Sequence, residues 1–307
     1  MKQVIKVVKK LSYESSGICI VFEENLTAPF FIDFNDFKPN TVVGRIEKQS
    51  YPGMDGATTF ETSLDVCNIN LSAKVLAHNM GTRVRSIDSV IDETKNLLAV
   101  CFNPKNIGVL RYVNNVGEFF IECRPTSIPA FGNIENDGVL PFQVDLYSDS
   151  SYWSRADKNE IILGGMENVL QIPTNLPVNM PKVIKLSETI NNSSGLPAFP
   201  KIQLFPCASA PLIVNEISGK YLALNNGISD GFYVEIDTAP EKQTVNLMKL
   251  DDITGNYYMV DNVEYWLTAD SNVDFEIVPG VNVIKINTTS AVPKVARLIW
   301  NEQVLAV

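Results

Sequence analysis

The stretch that most constrains the fold lies near the middle of the chain, because it is the one long segment with a helical repeat. From Ser86 to Cys101 the apolar residues fall within an arc of about 140° at 100° per residue, with only Val100 on the polar flank. Ser86 is suited to cap the helix, and Pro104 prevents it from continuing past Asn103. The sequence therefore predicts one amphipathic helix over about residues 86–102.

A β-hairpin is predicted directly after this helix. Strand patterns cover residues 109–113 and 116–123, on either side of Asn114-Asn115. Asparagine tolerates the positive φ that a two-residue hairpin turn needs. An alternating strand over residues 142–147 and then Tyr152-Trp153 close this part of the chain.

The remainder of the first half reads as short strands. The phase of apolar residues slips near Cys67-Asn68, which indicates a bulge or turn inside a long β segment. These strand patterns cover residues 4–11, 18–22, 30–34 and 58–77.

The second half begins with a proline-rich region and continues as regularly spaced strands. Residues 173–211 are interpreted as loops and edge segments at the entry to a second domain. Eight short strands separated by turn signals then predict a two-sheet sandwich or jelly roll. They cover residues 212–216, 220–224, 232–237, 244–248, 257–260, 273–278, 283–287 and 296–300.

Composition places the chain among soluble globular proteins, since 45% of its 307 residues are hydrophobic and 20% are charged. No apolar run approaches the roughly 20 residues of a membrane helix, so no membrane insertion is expected. The basic N-terminus lacks the apolar core of a signal peptide. The five cysteines are far apart and odd in number, which favours reduced, buried thiols in a cytosolic product.

Net charge argues against nucleic-acid binding. The chain carries −10, and both halves are acidic, whereas sequence-specific binding to nucleic acid needs a basic stripe. His78 is the one histidine and there is no Cys-x-x-Cys motif, so zinc and haem sites are excluded on ligand count. No cofactor is expected.

Two motifs imitate catalytic or metal sites. Residues 227–231 match G-x-S-x-G, but a strand follows them and His78 lies upstream, so they are interpreted as a hairpin turn. Asp251 and Asp252 are neighbours on an extended segment and point to opposite faces, which excludes an acid/base pair. A calcium site from these two and Asp261 stays open beside a solvated acidic loop. We predict no catalytic, cofactor-binding or metal-binding residue, and no enzyme.

Four aromatic residues are candidates for contact with carbohydrate or a protein partner: Tyr257, Tyr258, Tyr265 and Trp266. Their strand spacing also fits packing in a core or interface. Residues 216–276 carry twelve carboxylates against three lysines, which fits either a basic partner or a solvated rim.

Several short motifs occur in a fixed order along both halves. They are Lys10-Leu-Ser-Tyr13, Pro29-Phe30, Pro52-Gly-Met-Asp-Gly56, the helix ending at Asn103-Pro104, the hairpin to Cys123, Phe142-Gln-Val-Asp-Leu-Tyr147 with Tyr152-Trp153, Gly231-Phe-Tyr-Val-Glu-Ile-Asp-Thr238, and Phe275-Glu-Ile-Val-Pro-Gly-Val-Asn-Val-Ile284. In this order they resemble the distal tail protein (Dit) family, the tail-tip hubs of siphophages and prophages of Gram-positive bacteria. Ser151 stands where that family has a proline.

The resemblance implies a mainly β protein with two domains. Residues 1–150 would be a ring-forming β-sandwich or β-barrel-like domain with one helix, and residues 151–307 a galectin-like β-sandwich for docking or adhesion. It also implies a hexameric ring at the virion tail tip, assembled in the host cytoplasm. Its partners would be the major tail tube protein, the tail-associated lysin or tip protein, and receptor-binding or baseplate proteins.

The physics of the chain fits such a ring. Six copies would carry about −60 charges, and an acidic channel repels DNA phosphates. A sixfold ring needs heterologous contacts that close, and the strands of residues 57–77 are expected to supply edges for a neighbouring copy.

An alternative is a carbohydrate-binding module. In that case the second sandwich would attach to host cell-wall glycan through Tyr257, Tyr258 or Trp266.

Overall fold

The computed structural model describes residues 9–39, 42–53, 55–80, 86–135, 138–164, 185–251, 254–287 and 295–307. The chain divides into two compact units, residues 1–156 with 304–307, and residues 157–303. Strands dominate both units, and one α-helix occurs in the described part of the chain. The predicted mainly β fold class is confirmed.

The first unit is built on a closed barrel. Its strands are β1 Lys10–Ser15, β2 Ile18–Glu23, β3 Phe30–Phe31, β4 Gly44–Gln49, β5 Thr58–Leu64, β6 Cys67–Leu76, β7 Gly108–Val113, β8 Glu118–Pro125, β9 Ala130–Phe131, β10 Val139–Ser148 and the beginning of β11 Trp153–Leu163. Strand β8 pairs with β7 on one side and with β10 on the other, so β8, β7, β1, β2, β3, β6 and β10 form a ring of strands. A second, separate sheet consists of β4 and β5 alone.

The helix α1, Ile87–Cys101, confirms the sequence prediction at both ends. The Ser86 hydroxyl accepts a hydrogen bond of 3.3 Å from the N–H of Ser89, and Phe102 closes the last turn on the Leu98 carbonyl. The Phe102 ring stacks on Tyr13 of β1 at 4.5 Å between centroids. The stacking of Phe102 on Tyr13 therefore packs the C-terminal end of the helix against the barrel.

The hairpin of β7 and β8 exists, but its turn differs from the prediction. Val113 pairs with Glu118, so four residues form the loop, and Val116 lies in the turn and not in the strand. The Asn114 side chain accepts hydrogen bonds from the N–H groups of Val116 and Gly117 at 2.8 and 3.2 Å. Neither asparagine has positive φ, because side-chain capping replaces the two-residue turn.

The long β segment after residue 57 is interrupted at Asp65-Val66, slightly before the position predicted from the phase slip. Beyond it, β6 alternates strictly between buried and exposed residues over Cys67–Ala73. Most of the predicted strand over residues 4–11 lies outside the described residues. Within them, β1 begins at Lys10.

The second unit is a two-sheet sandwich. One sheet has the order β18–β17–β16–β13–β20–β11, and the other has the order β12–β19–β14–β15. Between them lies a core that includes Ile202, Val234, Phe275, Ile284 and Leu298. The strands are β12 Ser187–Asn192, β13 Lys201–Leu204, β14 Leu212–Asn215, β15 Tyr221–Ala223, β16 Phe232–Asp237, β17 Thr244–Leu250, β18 Tyr257–Asn262, β19 Gly280–Asn287 and β20 Ala296–Val304.

Three sequence interpretations of this unit were wrong. The proline-rich region, residues 173–211, contains β12, which is an edge strand as predicted, but it also contains β13, a central strand between β16 and β20; residues 173–184 lie outside the described part of the chain. Residues 273–278 form no strand, and only Ile277 makes a bridge, to Ala198. Residues 227–231 connect β15 to β16, which belong to different sheets, so they form a crossover loop and not a hairpin turn.

The thiols follow the predicted pattern with one exception. Cys67, Cys101, Cys123 and Cys207 are buried, whereas Cys19 on β2 is exposed. Burial raises the pKa of Cys101 to about 11 and that of Cys123 to about 12, so both are protonated at neutral pH. Within the described residues, no helix is long and apolar enough to cross a bilayer.

Candidate docking surfaces

The two-stranded sheet of β4 and β5 is the most unusual surface of the first unit. We call residues 42–66 the arm. Every residue of both strands is exposed, including Ile46 at 58% and Phe60 at 62%. An isolated pair of strands is marginally stable in water, and neither β4 nor β5 pairs with any other strand of the described chain. The two strands of the arm therefore leave both of their faces exposed to solvent in the described chain.

The register of the arm places apolar side chains together. Gly44 lies opposite Leu64 and Ile46 opposite Thr62, so Ile46 and Leu64 share one face. The register shifts between Glu47 and Lys48, and Phe60 is the residue left without a cross-strand partner. This bulge adds twist to the strand pair and an exposed ring to its side.

The base of the arm is held by the barrel. The N–H of Asp65 donates to the Val43 carbonyl at 2.9 Å, and the Ser151 hydroxyl donates to the Asp65 carbonyl at 2.8 Å. Ser151 occupies the position at which the resembled family has proline, and its hydroxyl makes a contact that proline lacks. The arm is thus anchored at its base and exposed along both of its strands, β4 and β5.

The first unit also has a pocket of about 440 Å³ beside the short strands β3 and β9. Its apolar wall includes Phe131 and Phe142, whose ring centroids are 6.3 Å apart. Asp33, Asp36 and Lys74 are its charged lining residues, and Lys74 pairs with Glu135 at 3.3 Å. Its lining contains neither a histidine nor a cysteine, and Ser72 is its hydroxyl-bearing residue.

In the second unit, the structure places Tyr257 and Tyr258 on β18, an edge strand whose six residues are all exposed. The two rings point to opposite faces, because they are neighbours on a strand. The Tyr257 ring meets Tyr233 edge-on at 4.7 Å, and Tyr233 stacks on Phe205 at 5.8 Å. Only Tyr257 therefore joins an aromatic cluster.

Tyr233 has a perturbed hydroxyl. Burial, together with the neighbouring Glu235 carboxylate at 3.4 Å, raises the pKa of Tyr233 to about 12. The phenol consequently stays protonated and can donate to Glu235 at physiological pH. This group supports the sheet and does not act as a base.

Tyr265 and Trp266 lie in a short 3-10 helix, Glu264–Trp266, after β18. Tyr265 is 70% exposed, and its ring is perpendicular to that of Trp266 at 6.5 Å. Trp266 packs partly against the core of the sandwich. The four predicted aromatic residues thus lie on two separate elements, and they do not form one flat platform.

The acidic motifs have structural roles where they are described. The Asp251 carboxylate accepts a hydrogen bond of 2.9 Å from the Thr254 hydroxyl and closes the β17–β18 turn, while Asp252 lies outside the described residues. No group of three potential metal ligands comes together in the part of the chain that the structure describes. His78 lies in the 3-10 helix Ala77–Asn79.

Sequence reasoning missed β4 and the exposed face of the arm. Residues 44–49 are Gly-Arg-Ile-Glu-Lys-Gln, a run without the apolar alternation that marks a half-buried strand. Because both faces of the arm are exposed, no burial pattern exists for the sequence to reveal. The length of strand character in residues 58–77 was the one usable signal.

Comparisons with known proteins identify the fold. No protein-family model matches the chain, and no curated protein matches it. The crystal structure of Dit of phage SPP1, described as a paradigm of the hub adsorption apparatus in phages that infect Gram-positive bacteria, is similar over 96% of this chain and 99% of its own, with a TM-score of 0.58 and 11% identity.

Chains of the phage P2 baseplate, in its activated conformation with Ca and with Sr, are also similar. Each covers 98% of this chain and 100% of its own length, with a TM-score of 0.53 and 9% identity. The fold is therefore Dit-like across both units, and the resemblance noted from the sequence is confirmed at the level of the fold.

Proposed function

We propose that this chain is a structural hub at the distal end of a phage tail, where it forms a hexameric ring. The ring joins the major tail tube protein to the tail-associated lysin or tip protein and to receptor-binding or baseplate proteins. The observation that carries the proposal is the likeness to the SPP1 Dit protein over nearly the whole length of both chains. The site of action is the virion tail tip, after assembly in the host cytoplasm.

In this proposal the first domain, residues 1–150, forms the ring, and the arm supplies the contact between copies. An arm that projects from one copy onto a different surface of the next makes a heterologous contact, which closes into a ring when the rotation is sixfold. Covering Ile46, Phe60 and Leu64 removes apolar surface from water at about 25 cal/mol per Å². The second domain, residues 151–307, docks other tail-tip components.

The hub function works through binding and not through chemistry. The lining of the pocket in the first unit contains no histidine or cysteine, and the similar proteins are described as hub and baseplate components. The net charge of −10 per chain gives the ring a surface that repels nucleic acid, which fits passage of DNA without adhesion.

The test is the mass of the particle in solution, measured alone and with the tail tube protein by light scattering and negative-stain imaging. We expect rings of six copies. Ile46→Asp combined with Phe60→Asp introduces charge into the arm face and should yield monomers.

The matched control is Val116→Asp, which changes an equally exposed apolar residue in the β7–β8 turn and should leave the ring intact. A wild-type chain that stays monomeric at high concentration and with its tail partners would refute the hub proposal.

A second candidate function is attachment to host cell-wall glycan by the sandwich. It is favoured by one observation, the exposed ring of Tyr265 perpendicular to Trp266. Binding on a glycan array that is lost in Trp266→Ala would support it, and an array without any signal would exclude it. The two functions are compatible in one protein.

A further inference from the structure

Strand β18 presents an unpaired backbone edge in the second unit. The N–H of Asp251 donates to the Asn256 carbonyl, and the register of β17 and β18 continues from this pair. Since hydrogen-bonded and non-hydrogen-bonded pairs alternate, Tyr258 bonds to β17 whereas the N–H and C=O groups of Tyr257 and Met259 point away from it. On the outer side they have no strand neighbour in the described chain.

The side chains of β18 are as unprotected as its backbone. Four consecutive residues from Tyr257 to Val260 are large and apolar, and each is about half exposed. Natural edge strands are usually short, charged or covered, because an exposed apolar edge recruits other chains. Over these four residues β18 is neither short nor charged, although the register shift opposite Leu247 and Met248 leaves Val260 as a bulge, so the regular part of the open edge ends at Met259.

The other edges of the same sandwich are protected. In β11 the residues from Asp157 to Glu160 are charged or polar, and Glu160 forms a paired contact with Arg297 at 2.7 and 2.8 Å. β15 has only three residues, and β12 is polar with Ile190 turned into the core. Among the described strands of this unit, β18 is therefore the one edge strand with an exposed apolar run.

Charge identifies the kind of strand that would fit. The sequence from Thr244 to Asp270 contains five carboxylates and one lysine, and Asp261 and Glu264 lie at the exposed end of β18. An acidic edge favours a positively charged partner and disfavours a second copy of itself, since two copies would place like charges side by side.

We propose that β18 docks an extended segment of a partner protein that is apolar at alternate positions and carries net positive charge. The segment adds a strand to the sheet outside β18, so that main-chain hydrogen bonds from Tyr257 and Met259 supply affinity. The apolar residues of the partner segment pack on the face of the sheet that carries Tyr257, whose ring is supported by Tyr233. The proposed function assigns docking to the second domain, and β18 is the place in that domain where docking would occur; the proposal rests on the proposed function to that extent.

The experiment uses the full chain and two synthetic ten-residue peptides, one alternating isoleucine with lysine and one alternating isoleucine with glutamate. Hydrogen exchange read at individual amides locates the bound peptide. We expect the lysine peptide to slow exchange at Tyr257 and Met259 about tenfold or more, and the glutamate peptide to have no effect, because strand pairing protects outward amides and the edge is acidic.

Two variants at one position separate the backbone from the side chain. Met259→Pro removes an outward N–H without removing a bond to β17 and should lower affinity for the lysine peptide at least tenfold. Met259→Lys keeps the backbone donor and adds a positive charge at the edge, so it should weaken binding of the lysine peptide as well and serves if the proline variant does not fold. Tyr265→Ala, off the strand, is the control and should bind as the wild type does.

Several results would overturn the proposal. They are equal binding of both peptides, protection located away from β18, self-association that Met259→Pro abolishes, and protection of β18 by cell-wall glycan fragments but not by the peptide. Ring formation is measured on the same samples. Intact rings without peptide binding refute only the β18 proposal, whereas peptide binding without rings refutes only the hub.

Discussion

The indole N–H of Trp153 donates a hydrogen bond of 3.1 Å to the carbonyl of Pro39, 114 residues earlier in the chain. Trp153 is fully buried in the first unit, and the Cys67 thiol lies 4.0 Å from the same carbonyl. The Pro39 carbonyl oxygen, which lies in the segment before the arm, thus contacts two later residues. They are Cys67, the first residue after the arm, and Trp153, the first residue of β11.

This relationship predicts a large cost for removing the ring. Trp153→Ala should lower the free energy of unfolding of the first unit by about 3–5 kcal/mol, since it leaves a cavity and removes the indole donor, so that the Pro39 carbonyl keeps only the long contact with the Cys67 thiol. Trp153→Phe keeps most of the volume and should cost less. Urea unfolding followed by circular dichroism measures both, with Trp266→Phe in the second unit as the control; an unchanged first unit in Trp153→Ala would contradict the prediction.

Asn282 explains the sequence motif over residues 275–284. It is fully buried, accepts from the Val278 N–H at 3.0 Å and from the Asn215 amide at 2.9 Å, and donates to the Val278 carbonyl at 2.7 Å. Gly280, with φ of +86°, makes the turn that brings these groups together.

Asn282→Ala should therefore destabilise the second unit by about 3 kcal/mol, because more than one buried polar group loses its partner. Thermal unfolding measures the loss. Asn287→Ala, at the exposed end of the same strand, is the matched control and should stay within about 0.5 kcal/mol of the wild type. Equal melting temperatures for the two variants would show that the buried network does not support the turn.

The buried thiols predict a loss of stability at alkaline pH. Burial raises the pKa of Cys101 to about 11 and of Cys123 to about 12, from 9.0 for a free thiol. Since the folded-state values lie above the unfolded-state value, stability is complete below pH 9 and falls as the pH rises toward 11 and 12. Each thiol should contribute a slope of about 1.4 kcal/mol per pH unit.

Urea unfolding under reducing conditions between pH 8 and 10.5 tests this slope before most tyrosines titrate. Cys123→Ala should show a shallower decline than the wild type, whatever its stability at pH 8. A free energy of unfolding that is independent of pH over this range would mean that these thiols are not buried.

Thiol reactivity is predicted to be confined to one site. Cys19 is exposed on β2, whereas the other four thiols are buried. A chromogenic disulfide reagent at neutral pH should titrate one fast thiol per chain, and Cys19→Ser should abolish that phase. The remaining four should react only in denaturant, and two or more fast thiols in the wild type would contradict the structure.

The second half shows what can be predicted when one face of a strand is buried. Phe232–Asp237 was predicted at its correct bounds, because Val234 and Ile236 alternate toward the core. The crossover loop before it could not be recognised, since its glycines fit a hairpin equally well. A Cβ on Gly227 would come within 2.6 Å of the carbonyl oxygens of Cys207 and Ala208, and that contact arises only when distant segments pack together.

The sequence by itself determined the helix, the alternation of the barrel and sandwich strands, and the acidic charge, because each depends on neighbours within a few residues along the chain. Only the tertiary structure decided which edges remain open. Whether Ile46, Phe60 or Met259 is covered depends on the strands that lie beside them in space. The docking surfaces are therefore properties of strand pairing across the fold, and a local pattern in the sequence does not contain that information.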